Sequence, residues 1–132
     1  MNNTPERAEF WKEFICTKCQ FPVPDRLRSQ FANAKLSEFC DCGCNSFKVS
    51  VDANSPVEAI AGEGGYGSVF NAFFRMKDDE HASLEIILLA DERGNLAYVE
   101  IDYCGNSYPV PNDIFVIEPP FHVSASKSLL IS

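Results

Sequence analysis

Apolar and polar positions change rhythm along this chain, from a helical spacing near the N-terminus to strand-like alternation beyond residue 47. ERAEFWKEFI (6–15) sets Phe10, Trp11, Phe14 and Ile15 at helical spacing and predicts a short amphipathic helix. The two prolines of QFPVPD predict an extended crossing. SQFANAKLSEF (29–39) predicts a second helix, capped by Ser29, with Phe31, Ala32, Leu36 and Phe39 as its apolar stripe. FKVSVD (47–52) alternates as a strand does. Pro56 and the four glycines between Gly62 and Gly67 mark loops, with the short element VEAIA just before the glycines. VFNAFFRM (69–76) alternates through Phe70, Ala72, Phe74 and Met76, but Phe70, Phe73 and Phe74 also suit one helical face. The turn-like KDDEHA that follows favours a strand. LEIILLA (84–90) is the clearest strand, apolar enough to be buried on both faces for much of its length. DERGN (91–95) is a hairpin turn in which Gly94 or Asn95 takes positive φ. LAYVEIDY (96–103) follows, with Tyr98, Glu100 and Asp102 on one face and Ala97, Val99, Ile101 and Tyr103 on the other. After the PVPND turn, IFVIE (114–118) predicts a further strand, and HVSASKSLLIS a final short strand or docked extension.

The pattern predicts an α+β protein with a boundary near residues 52–56. Residues 1–52 form a module with an N-terminal helix, and residues 53–132 an antiparallel β-meander. One face of such a sheet needs cover, from a helix of the first half or from a partner.

Charge sharpens this division. The net charge is −8. Residues 1–52 hold seven basic and seven acidic side chains, whereas residues 53–132 hold four and twelve. The C-terminal part therefore carries the whole surplus, which repels phosphate and attracts a basic protein partner. Arg26 and Arg28, with Lys12, Lys18, Lys35 and Lys48, offer only a modest basic face to RNA or DNA. No apolar run approaches the ~20 residues that span a bilayer. The N-terminus lacks the continuous apolar stretch of a signal peptide, which predicts a cytoplasmic protein.

Five of the six cysteines crowd into residues 16–44. In a reducing compartment two tight clusters favour metal over disulfides. Cys16-x-x-Cys19 has the spacing at which one tight turn aims two thiolates at a tetrahedral ion. The second pair comes from CDCGC (40–44). Gly43 after Cys42 favours Cys40 and Cys42, and Cys42 with Cys44 is the alternative. The expected cofactor is a structural Zn(2+) with four sulfur ligands and no open position. CTKC followed by CDCGCNSFKVSV resembles the zinc-ribbon family over residues 14–52, with Phe47 at the start of the strand that leaves the second knuckle. The sequence departs from that family in having Gln20 where glycine usually follows the first knuckle. The resemblance implies a ribbon packed on the β domain. It also implies a rival function, an adaptor that binds nucleic acid or the transcription or RNA machinery.

No catalytic constellation stands out. GEGGYG (62–67) lacks the lysine and Ser/Thr of a phosphate loop. His81 and His122 have no motif around them, and Cys104 has the setting of a small buried residue. Tyr98, Tyr103 and Tyr108 fall near Asn106. LEIILLADERGNLAYVEIDYCGNSYPVP resembles, in pattern, a stretch of small acidic bacterial immunity or antitoxin proteins. That resemblance implies a non-enzymatic inhibitor whose acidic sheet blocks a basic partner, with Glu85, Asp91, Glu92, Glu100 and Asp102 as contacts.

Overall fold

A computed structural model describes residues 3–39, 43–62, 67–105 and 107–130. The first helix, α1 (Pro5–Lys18), starts where Thr4 caps it: the Thr4 hydroxyl accepts the Arg7 N–H at 3.1 Å, and Pro5 fills a first-turn position where no donor is needed. It runs past the expected end at Ile15 and takes in the first cysteine pair, with Cys16 in its last turn and Cys19 as its C-cap. The second helix, α2 (Pro24–Ala32), begins earlier than expected. Pro24 opens it, because a proline in the first turn loses no hydrogen bond. It also ends earlier, at Asn33. Leu36, expected on its apolar stripe, belongs instead to a strand, β1 (Ala34–Ser37).

Five more strands follow: β2 (Phe47–Val51), β3 (Gly67–Arg75), β4 (Ser83–Ala90), β5 (Leu96–Tyr103) and β6 (His122–Ala125). They form one open antiparallel sheet in the order β1-β2-β5-β4-β3-β6. The expected meander is its centre, β3-β4-β5, and 69–76 is strand, with a bulge between Ser68 and Phe70. IFVIE contributes only a single bridge, Met76 to Val116. The sheet crosses the boundary expected near residues 52–56, since β2 pairs with β5 through Phe47–Val99 and Lys48–Tyr98. One buried cluster likewise draws on both sides of it, from Trp11, Phe14 and Phe47 to Phe70, Leu84 and Ile101.

Both helices pack on one sheet face. Phe14 meets Phe74 edge-on at 5.2 Å between ring centres, and Phe21 meets Phe70 at 5.1 Å. Leu84, Ile86 and Leu88 point the same way and are wholly buried. Their neighbours Glu85, Ile87 and Leu89 turn to the other face and are half-buried. β4 is therefore covered on one face only, which corrects the expectation drawn from its continuous apolar run.

Three polar devices lock this arrangement. Arg7, only 8% exposed, donates to Asn45 Oδ1 at 2.8 Å and to the carbonyls of Asn112 and Pro111 at 2.8 and 2.7 Å. Burial holds its pKa below the ordinary guanidinium value, and the nearby Asp113 charge acts against that shift. The wholly buried Gln30 donates to the Glu58 carbonyl and to Asn95 Oδ1, and its own oxygen accepts the Leu96 N–H at 2.8 Å. At the β4–β5 turn Gly94 has φ +83°, and its carbonyl accepts the N–H groups of Ile60 and Ala61. A Cβ on Gly94 would run into the Ala61 carbonyl.

Candidate partner-binding face

The strand register decides which acidic residues meet. Glu85 stands directly opposite Asp102, and Ile87 opposite Glu100. Phe73 faces Glu85 from the other side, and His122 faces Phe73. Because side chains alternate across a pleated sheet, Glu85, Glu100 and Asp102 share the face opposite the helices. All three are half-buried there. Glu85 accepts a hydrogen bond from Asn71 Nδ2 at 3.0 Å, which fixes the carboxylate over β3.

Asp91 and Glu92 stand apart from this group. They lie in the β4–β5 turn, about 20 Å from Glu85 at the usual strand rise. Asp91 Oδ1 accepts the N–H groups of Arg93 and Asn95 at 2.9 and 3.0 Å, so this carboxylate builds the turn. Glu92 is exposed at the tip.

Aromatic residues border the acidic group. Phe121, half exposed, lies 5.9 Å from Phe73 and carries the Arg75 guanidinium 4.5 Å above its ring. Phe115 and Ile117 are also exposed along this edge, where Ile117 donates to the Arg75 carbonyl and Phe115 accepts from Lys77. Neither the aromatic edge nor its closeness to Glu85 is visible in the sequence pattern, because Phe115, Ile117 and Phe121 stand 30 to 36 positions from Glu85.

At the other end of the face a cleft of about 520 Å³ opens beside Tyr98 and Glu100, with Tyr108 on its far wall. Of the three tyrosines expected near Asn106, Tyr98 and Tyr108 meet here, and Asn106 itself lies outside the described residues. Burial raises the Tyr98 pKa, helped by Cys44 and then Glu100, with a hydrogen bond to Ser46 acting against the shift.

The zinc ribbon expected over residues 14–52 is corrected by this arrangement. A knuckle needs a tight turn at its first cysteine pair, and here that pair ends a helix. Cys19 is wholly buried in the apolar cluster, and Cys16 sits half-buried beside Arg28 and Phe31. Burial pushes both thiols above the ordinary value, with Cys16 adding to the shift at Cys19. Cys44, the alternative ligand, lines the Tyr98 cleft on the opposite face of the sheet. Cys40 and Cys42 lie outside the described residues. Among the described residues, no group of three or more His, Cys, Asp or Glu is placed to hold a metal ion.

Lys12, Lys18, Arg26, Arg28 and Lys48 each pair with an acidic neighbour. Arg26 pairs with Glu58 at 3.0 Å and also donates to the Leu130 carbonyl. Arg28 pairs with Glu13 at 3.4 Å, and Lys18 with Glu118 at 2.8 Å. Among the described residues, no helix is long and apolar enough to cross a membrane.

The fold is thus an α+β arrangement, two helices on one face of an open antiparallel sheet. No protein-family model, no curated protein and no solved structure matches this chain.

Proposed function

We propose that this is a non-enzymatic binding protein whose open sheet face takes up a basic protein partner, in the manner of an immunity or antitoxin inhibitor. The observation that carries the proposal is the cross-strand pair Glu85–Asp102, with Glu100 a row away, on the face opposite the helices. Like charges directly opposite in a ladder cost stability, and here both carboxylates lie on the open face. A cationic surface laid over the pair turns that cost into attraction. The net charge of −8 adds long-range steering of such a partner. Phe121 and Ile117 at the margin supply the apolar contact that charge alone lacks, since aromatic anchors dominate most interface energetics.

The test is affinity purification from host cells with the wild-type chain and with a Glu85→Gln/Asp102→Asn variant, at low and high salt. A basic protein retained by the wild type, released by salt and lost with the double variant is the expected result. Equal retention by both chains, or retention indifferent to salt, overturns the proposal.

A further inference from the structure

We propose that the cleft beside Tyr98 seats an arginine side chain of that partner, an inference that rests on the sheet face being the partner surface. The cleft is a built feature. The Val110 N–H donates to the Gly43 carbonyl at 2.9 Å and clamps the segment 107–110 against 43–46. Gly43, at φ +92°, allows the approach, because a Cβ there would stand 3.0 Å from the Pro109 side chain. Ser46 fixes the floor to β5 by accepting the Ile101 N–H at 3.0 Å.

The lining selects a cation. Glu100 is its one carboxylate among the described residues, and no lysine or arginine lines it. Tyr98 and Tyr108 add two aromatic rings to the walls. Tyr108 is 66% exposed, so its ring is spent on no part of the core. A carboxylate and aromatic rings lining one cleft suit a guanidinium better than an ammonium. The planar group stacks on a ring face while its fork of donors engages the carboxylate.

Continuity with the acidic face favours a side chain of a larger partner over a free small cation. Glu100 belongs both to the cleft and to the row next to Glu85 and Asp102. Glu100 and Asp102 are alternate residues of one strand, about 7 Å apart. Basic residues at alternate positions of an extended partner segment match that spacing, one entering the cleft and the next reaching the Glu85–Asp102 pair.

The probes are the peptide acetyl-Gly-Arg-Gly-Arg-Gly-amide and its lysine counterpart, titrated at low salt and followed by NMR. Three variants are compared with the wild type: Tyr108→Ala, Glu100→Gln and Asp102→Asn. Wild type is expected to bind the arginine peptide more tightly than the lysine peptide. Tyr108→Ala is expected to weaken arginine binding about three- to fivefold and to erase the preference, as loss of one cation–π contact requires. Glu100→Gln weakens both peptides. If Asp102→Asn weakens the arginine peptide while Tyr108→Ala and Glu100→Gln leave it unchanged, the cleft is not the seat although the face binds basic segments. If neither peptide binds wild type, the face itself is not a basic-partner surface, and the cleft proposal falls with it.

Discussion

Glu85 and Asp102 stand opposite each other in the β4–β5 ladder, two carboxylates on neighbouring strands. Glu85→Gln removes one charge and keeps an oxygen that accepts from Asn71. The expected outcome is a chain as stable as the wild type or more so by a few tenths of a kcal/mol, since cross-strand pairs act on the order of 0.2–1 kcal/mol. Urea denaturation at low salt reads this directly. A clear loss of stability would mean that the pair is structural and its charge is balanced within the fold.

Arg7 joins α1 to two distant segments through three hydrogen bonds. Arg7→Met keeps much of the apolar stem but takes a donor from the half-buried Pro111 carbonyl, from the Asn112 carbonyl and from Asn45 Oδ1, which is left with the Trp11 indole N–H alone. A loss of about 3 kcal/mol is expected, because bonds to charged groups carry roughly 1.5–3 kcal/mol each and their deletion is not additive. Arg7→Lys should restore only a small part, since one ammonium cannot reproduce the fork that reaches all three acceptors. Equilibrium unfolding in urea checks both variants.

Gly94 combines positive φ with close approach to the Ala61 backbone. Gly94→Ala strains the turn and pushes the segment carrying Ile60 off the end of the sheet. The expected cost is at least about 2 kcal/mol, from the left-handed conformation and the steric conflict together. Thermal unfolding gives the measurement. An unchanged midpoint would show that the 60–61 segment repositions freely.

Burial raises the pKa values of Cys16, Cys19 and Tyr98 in the folded chain. The unfolded chain then releases these protons first as pH rises. Between the ordinary thiol and phenol values and the raised folded ones, the folded state holds more protons, so stability falls with increasing pH. The contribution is fully present below about pH 8.5 and declines above it, from the thiols first and from Tyr98 above about pH 10. Cys19→Val should flatten the decline. Unfolding midpoints measured from pH 8 to pH 11 on both chains decide this. In native protein at pH 8, iodoacetamide should modify Cys16 before the wholly buried Cys19.

Much of the sheet was legible because period-two alternation survives in FKVSV and LAYVEIDY, and it also gathered Glu100 with Asp102. The sidedness of β4 was not legible. Ile87 and Leu89 are apolar yet face the open side, so the run LEIILLA looks two-sided without being so. β1 was hidden as well, since AKLS becomes a strand through its pairing with β2, a tertiary effect with no local signal. Pro24 misled by its type, because the residue that stops a helix from within starts one at its first turn. CTKC misled by its spacing: cysteines three apart also fall on one side of a helix, and nothing local separates that from a knuckle. Gln30 and Arg7 carry no local sign of their burial. Their partners Leu96 and Asn112 lie 66 and 105 positions away.

Those long separations bear on how the chain is made. Arg7 waits for Asn112, Lys18 for Glu118 and Arg26 for Leu130, so the first helices leave the ribosome about a hundred residues before their anchors do. At about 5–20 residues per second, that interval lasts roughly 5–20 seconds. For much of it Phe14 and Phe21 lack the rings they meet, since Phe74 and Phe70 come 60 and 49 positions later, and folding must wait for pairings that are intrinsically slow. Newly made chains should therefore be clients of holding chaperones, and translation stalled before residue 110 should leave a product that aggregates.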